Sequence, residues 1–368
     1  MTYKHLSFVS LFAVAALSAS AQRNVENFNF GWQFHRGNID VTAINTSDGS
    51  WETINVPHDF QISQPWVAPA ANESEDNSDG ASNFKSRLSA RGFKEMGDGW
   101  YVKTYTPAAD MKGRRILLDF EGIMYVGDVY LNGKRIGGTD YGYLGFDIDV
   151  SKLLKYGQAN TIAVHASTSG PLNSRWYTGG GLYRDVKIVS TPADIYFVRH
   201  PLYVTTTDNH LVNLQVEVAN YTKQNNVKLQ TVVKDPQGNI VYDKTVDMPF
   251  NRKMRTNELK WETIDIANPK LWNCDTPNLY TATVRILDAN GKEKDCATTR
   301  FGIRTIEIGP DFGLKVNGSK VLLKGIANHH TLGALGAAAY PRAMEKRMKM
   351  LKDFGFNDIR TSHNPYST

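Results

Sequence analysis

The chain has 368 residues, 41% of them apolar and 21% charged, with a formal net charge of +5. That balance excludes a disordered chain, and the length allows two or three domains of about 100–200 residues each. The cations are scattered, apart from Arg342, Lys346, Arg347, Lys349 and Lys352 in one predicted helix. With no basic stripe and no known binding motif, a nucleic-acid partner is excluded and the helical run reads as a solvated face. Seven Trp and seventeen Tyr suit β-sandwiches and sugar-facing surfaces, although aromatics more often fill cores.

The first residues, MTYKHLSFVSLFAVAALSASAQ, give one early Lys, an apolar stretch from Leu6 to Leu17, and then Ala19-Ser20-Ala21. This is the pattern of a secretory leader, with cleavage expected after Ala21. The apolar stretch is too short to span a bilayer comfortably, and no Cys stands at the cleavage point to carry a lipid. The expectation is an exported protein, periplasmic or extracellular, with no membrane partner after cleavage.

From Phe28 to about Thr191 the sequence alternates in short runs separated by turn residues. RRILLDFEGIMYVGDVYLNGKRIGG contains a strand over Leu117–Phe120 and a second over Val126–Leu131. The second runs into Asn132-Gly133, a strong hairpin signal. NTIAVHAST and GLYRDVKIVST read as further strands. Residues 24–193 are therefore expected to form a jelly-roll β-sandwich. The segment Pro69 to Ser86, polar and acidic, interrupts it as a long surface loop.

A second β block, residues 194–303, carries LVNLQVEVAN, VKLQTVVKD, NIVYDKTVDM and a hairpin after Leu279. About seven strands in about a hundred residues predict an immunoglobulin-like sandwich. Its hairpin turns at Asp288-Ala289-Asn290-Gly291, which puts Cys296 opposite Thr283 and about 30 Å from Cys274 at strand rise. A disulfide needs Cα atoms within about 7 Å, so two separate thiols are expected.

After Arg304 the pattern changes. LKVNGSKV is a hairpin, and Val321 to Ile326 reads as a continuous apolar strand. Pro341 opens a helix that sets Met344, Met348, Leu351 and Phe354 on one face and stops at Gly355. FNDIRTSHNP is a second strand with polar residues at its C-terminal end. Strand, helix, strand is a βαβ unit, which implies a parallel pair. The fold class is thus mainly β, two sandwiches followed by one βαβ unit over residues 304–368.

Taken in order, FNFGWQFHRG, WETINVPHDF, GWYVKTY, FEGIMYVGDVYLNGKRIGG, SRWYTGGGLYRDVKI, LWNCDTPNLYTATVRI, FGIRTIEI and LKGIANHHTLGALGAAAYPRAMEKRMKMLKDFGFNDIRTSHNPYS resemble glycoside hydrolase family 2. That family holds bacterial β-galactosidases, β-glucuronidases and β-mannosidases. The resemblance implies that the βαβ unit begins a (β/α)8 TIM barrel. It also implies a retaining mechanism in which one Glu protonates the leaving oxygen and a second attacks the anomeric carbon, about 5–5.5 Å away. In the family these carboxylates lie on the fourth and seventh barrel strands. A barrel takes about 250 residues, and only about 65 follow Arg304. Both catalytic carboxylates are therefore expected to be absent, and the chain reads as an inactive fragment of a β-galactosidase-like enzyme acting on β-galactoside-containing glycans.

The resemblance also places substrate-binding residues. His363 stands after the second barrel strand, where the family has a histidine touching the sugar, and active-site groups collect at the C-terminal ends of barrel strands. Asn364 and Pro365 shape that loop, since Pro holds the residue before it extended. Arg360 is expected inside the barrel, near the carboxylates. His329 and His330 end the first strand, and either a pocket role or a structural pair fits them. Arg175 stands about where the large galactosidases have an acid that helps hold sodium, which argues against that ion here. Beside it, Trp176 reads first as a core residue of a glycine-rich turn. The histidine spacing is not a zinc signature. No cofactor or metal is expected from these residues, and the ligands of any magnesium or sodium in a complete enzyme are not identifiable among them. The competing readings are a non-catalytic carbohydrate-binding or accessory β-sandwich protein, and a β-glucuronidase or β-mannosidase relative. A homo-oligomer and a separate C-terminal half are further candidate partners.

Overall fold

The computed structural model describes residues 22–68, 92–169, 176–221, 226–249 and 258–366. The predicted leader, the polar segment Pro69 to Ser86 and Arg175 lie outside the described residues.

Two antiparallel sheets make the first sandwich. The larger runs Glu52–Ile54, Trp32–Arg36, Asp98–Tyr105, Asn160–Ser167, Val126–Leu131, Lys134–Thr139. The smaller runs Asn24–Asn27, Val186–Thr191, Arg115–Phe120, Phe146–Asp149. Two-residue alternation decides what each strand buries. Along Asn160–Ser167, Ile162, Val164 and Ala166 enter the core with Trp32, Tyr101, Ile116, Leu118 and Phe120. Ala163 instead joins Trp100 and Val102 in a cluster on the other face. Each large side chain so buried contributes about 1.5–3 kcal/mol. The expected hairpin forms at Asn132-Gly133, whose φ values of 51° and 80° give the left-handed pair that matches strand twist.

Among the described residues the second sandwich has seven strands. One sheet holds Ile195–Thr207, Leu211–Asn220 and Glu258–Asp265, and the other holds Ile240–Pro249, Asn226–Lys234, Tyr280–Leu287 and Glu293–Phe301. Phe197, Leu214, Val216, Val218, Leu229, Val284 and Ile286 fill the space between. Cys274 and Cys296 are both free thiols. The register of the last hairpin differs from expectation, since Cys296 faces Arg285 and Thr283 faces Thr298. Two features lengthen the turn: Asp288 N donates to Lys292 O, and a bulge follows between Ile286 and Leu287.

A partly buried ion pair ties the sandwiches together. Arg23, at the start of the first, donates to both carboxylate oxygens of Asp295 at 3.0 Å and to Phe197 O at 2.6 Å. Asp295 is fully buried and also accepts from the amides of Phe197 and Cys296.

In the third block, strand Gly325–Asn328 pairs in parallel with Asp358–Thr361, and helix Pro341–Asp353 connects them. The βαβ unit is present, but its first strand is shorter and later than Val321 to Ile326. Val321 closes the preceding hairpin against Leu314. The Asn357 amide then takes the next backbone groups, accepting from Lys324 N at 2.8 Å and donating to Leu322 O at 3.0 Å. Ladder pairing starts only at Gly325. Leu322 is consequently 72% exposed. The helix half-buries Met344, Met348 and Leu351 and stops at Gly355, where φ is 85°. Phe354 caps the helix and is 80% exposed, so it does not share the packed face. The predicted solvated run is corrected at Arg347. Its guanidinium is half-buried and donates to Asn328 Oδ1 and His329 O at 3.1 Å, and to Thr331 O. Among the described residues, no helix is long and apolar enough to cross a membrane.

Candidate functional site

The C-terminal ends of the two parallel strands carry Asn328-His329-His330 and Ser362-His363-Asn364. Each strand stops there, and the two ends bring His329 and His363 together at one rim. Trp176, delivered by the glycine-rich turn of the first sandwich, packs against both ends. Its ring lies 4.6 Å from that of His329 and 5.0 Å from that of His363, and the two imidazoles stand 5.3 Å apart at 88°. Trp176 therefore joins the rim instead of the sandwich core.

Arg360 reaches the same cluster, with its Nη2 3.3 Å from His363 Nδ1. A guanidinium only donates, so Nδ1 accepts and the exposed imidazole keeps its proton on Nε2. His363 thus presents an N–H donor next to an aromatic face. Burial, with His363 adding to it, lowers the pKa of His329 and holds that ring neutral. Trp176 Nε1, His329 Nδ1 and Asn328 Nδ2 are buried without a hydrogen-bond partner among the described residues. Polar atoms of this kind are uncommon in folded proteins. Asn364 does more than shape the loop, because its Nδ2 donates to Tyr141 Oη at 2.8 Å.

His330 lies elsewhere. It is buried in the seam between sandwich and barrel segment, with Nε2 donating to Thr178 O at 3.1 Å and its ring edge-on to Tyr143 at 5.3 Å. Burial pushes its pKa down to about 4. It holds the seam and does not face the rim. Arg175, outside the described residues, is not placed.

Two seam residues escaped sequence reasoning. Asp59, in VPHDF, is buried and accepts four hydrogen bonds: from Tyr177 Oη and Ala337 N at 2.7 Å, and from Gly180 N and Gln61 N at 3.0 Å. Burial raises its pKa, and the four donors act against that shift. A Cβ on Gly179 would come within 2.6 Å of its Oδ2, so glycine is what allows the approach. Arg184 is buried, donates to Tyr143 O at 2.9 Å, and reaches across to Pro365 O at 2.6 Å in the loop after His363. Both residues lie in quoted stretches, but their partners are 181 and 278 residues distant, so no local pattern marked them. Among the described residues no group of three or more His, Cys, Asp or Glu side chains could hold a metal ion.

Comparison with known proteins agrees with this geometry. The family model for the glycosyl hydrolase 2 galactose-binding domain-like fold matches residues 88–174, that for glycosyl hydrolases family 2 matches residues 197–304, and that for the family 2 TIM barrel domain matches residues 310–368. The chain is 30% identical over 359 residues to the beta-galactosidase BoGH2A of Bacteroides ovatus, covering 96% of this chain and 40% of that protein. It is 29% identical over 375 residues to a beta-glucuronidase of Formosa agariphila, covering 94% of this chain and 36% of that protein. A crystal structure of a glycosyl hydrolase family 2 member from Bacteroides cellulosilyticus superposes with a TM-score of 0.81 at 32% identity, covering 94% of this chain and 43% of that one. The chain thus spans less than half the length of these relatives. Three successive family models in the order of the three observed blocks settle one point: the chain belongs to glycoside hydrolase family 2.

Proposed function

We propose that the chain is the N-terminal part of an exported β-glycosidase that removes terminal β-D-galactosyl units by a retaining two-carboxylate mechanism. The observation that carries this reading is the rim cluster, in which Trp176 offers a flat face beside the His363 Nε2–H donor at the C-terminal ends of two barrel strands. A sugar presents C–H groups on one face and hydroxyls at its edge. An aromatic plane with a neighbouring N–H donor matches both.

On this reading the chain's own residues bind and orient. His363 donates to a ring hydroxyl. Arg360 fixes the tautomer that makes this donation available, and its charge favours ionised carboxylates nearby. Trp176 excludes water from one side. No Asp or Glu is hydrogen-bonded to Arg360, His329 or His363 among the described residues. The acid and the nucleophile, about 5–5.5 Å apart in a retaining enzyme, belong to later barrel strands. Export rests on the leader-like N-terminus, and the choice of galactose over glucuronic acid on the first relative.

The test uses a protein extended through a complete barrel. It should hydrolyse p-nitrophenyl β-D-galactoside faster than the corresponding glucuronide, with the β-anomer released first in a proton NMR time course. Absence of turnover on either substrate would reject the glycosidase reading, and a preference for the glucuronide would reject the sugar assignment.

A further inference from the structure

The two sandwiches meet along a second concavity that the rim does not explain. It is an open groove of about 1080 Å³ between the Ala109–Arg115 turn, the Asp149–Tyr156 turn and the start of the second sandwich. In strand register Arg115 pairs with Thr191 and Phe120 with Val186, and Arg184 reaches the barrel loop just before Val186. The groove therefore sits five residues further along these strands from the barrel seam, about 17 Å away at strand rise.

Its chemistry is distinctive. Tyr221 is 65% exposed and stacks on Tyr196, with ring centroids 6.1 Å apart at 25°. The Arg115 guanidinium covers the Tyr196 ring at 4.3 Å and is held by Asp149 at 3.1 Å, so the aromatic platform is fixed from below. Lys112 and Lys152 line the same groove, both exposed and neither in an ion pair among the described residues. Among the described residues Asp149 is the single carboxylate in the lining, against four cations, and Arg115 and Ser151 already engage it.

We propose that this groove is a second carbohydrate site, separate from the barrel rim, that takes an acidic oligosaccharide carrying carboxylate or sulfate groups. Tyr221 supplies the stacking face for a sugar ring, and Lys112 and Lys152 neutralise the anionic substituents. The groove is open to solvent, and holding an acidic glycan there would keep the protein on its polymer between encounters at the rim. Aromatic-plus-basic surfaces also fit single-stranded nucleic acid. The cations of the sequence form no basic stripe, which favours the glycan.

Titration calorimetry on the full chain tests this with four probes: a galacturonic acid trimer, a sulfated galactose trisaccharide, neutral galactotriose and a thymidine dodecamer. At least one acidic trisaccharide is expected to bind, with affinity falling as NaCl rises from about 50 to about 300 mM. Tyr221→Ala and the Lys112→Ala/Lys152→Ala pair should each weaken it by about tenfold or more, while His363→Ala leaves it unchanged. These positions are exposed, so the variants fold. Comparing the two acidic probes identifies the favoured anion. The proposal is overturned if neither acidic probe binds, if galactotriose binds as tightly, if the oligonucleotide binds more tightly, or if His363→Ala alone abolishes binding.

Discussion

Asp59 Oδ2 accepts the Ala337 amide at 2.7 Å, joining two residues 278 positions apart. The bond lies at the centre of a seam in which Ala337 and Ala338 are buried and His330 meets Thr178. The turn that carries Trp176 and the segment that follows His330 are thus set against each other by one carboxylate. Asp59→Ala would leave the amides of Ala337, Gly180 and Gln61 and the Tyr177 hydroxyl without that acceptor. At about 1–3 kcal/mol for a buried partner left unsatisfied, a loss of about 3 kcal/mol or more is expected in urea unfolding. Protease cleavage within 331–340 should also accelerate. A change under about 0.5 kcal/mol, the range of ordinary surface substitutions, would show that the seam does not depend on this residue.

Gly179 makes a sharper prediction about the same seam. Its φ is 77°, and an added Cβ would stand 2.5 Å from Ala337 Cβ. Gly179→Ala should destabilise by about 1–3 kcal/mol through strain and overpacking together. Gly238→Ala is the control, since its φ of 87° brings similar backbone strain but nothing lies within 4 Å. Equal losses at both sites would remove the packing part of the argument.

The Arg23–Asp295 pair is the counterpart between the sandwiches. Removing Arg23 leaves a fully buried carboxylate with two amide donors and no cation. Arg23→Ala should cost about 3–5 kcal/mol. The loss should be only weakly sensitive to salt, since the carboxylate is fully buried. A loss that vanishes at high NaCl would place the pair in solvent.

Stability should fall in mild acid. Burial holds His58 and His330 neutral, each with its pKa pushed down to about 4 from an ordinary 6.5. Between those values the unfolded chain binds protons that the folded one refuses, so stability rises with pH across that window. It is fully present above pH 6.5 and is lost as pH falls toward 4, by at most about 3 kcal/mol for each group. Urea midpoints measured from pH 4 to pH 7 should show this slope, and His330→Gln should make it shallower. A flat profile would mean that both rings reach solvent.

Much of the architecture was legible because it is local. Alternation located the strands of both sandwiches, Asn132-Gly133 marked its hairpin, and Pro341 and Gly355 bounded the helix. The rim was legible in part through the family resemblance, which put His363 after the second barrel strand, while Arg360 lies within that strand, beside His363. What escaped was set by long-range partners. Arg347 reads as one cation among five on a helix, yet it caps the backbone of the neighbouring strand end. Asp59 and Arg184 gain meaning only when the barrel segment docks on the sandwich. Val321 to Ile326 is apolar enough for a strand, but Asn357 claims its backbone groups first. Trp176 sits in a turn suited to a core aromatic, and only the docking of His329 and His363 turns it into a rim residue.

Apolar surface at the parallel pair gives a prediction about association. Leu322, Leu323 and Phe354 are exposed, and the two-stranded sheet has no third strand among the described residues. Open parallel edges and apolar faces invite other chains. Sedimentation of this 368-residue chain should show concentration-dependent association, reduced by Leu322→Lys and Phe354→Lys. A monodisperse monomer at high concentration would contradict this.

The most direct test of the central claim is kcat/KM for p-nitrophenyl β-D-galactoside in the barrel-complete protein and its His363→Ala and Trp176→Ala variants. The account predicts a fall of about 100-fold or more for His363→Ala, with unfolding midpoints unchanged, because a lost donor to a bound hydroxyl weakens the transition state. Trp176→Ala should raise KM. Variants that turn over as fast as the parent would contradict the claim that this cluster receives the sugar.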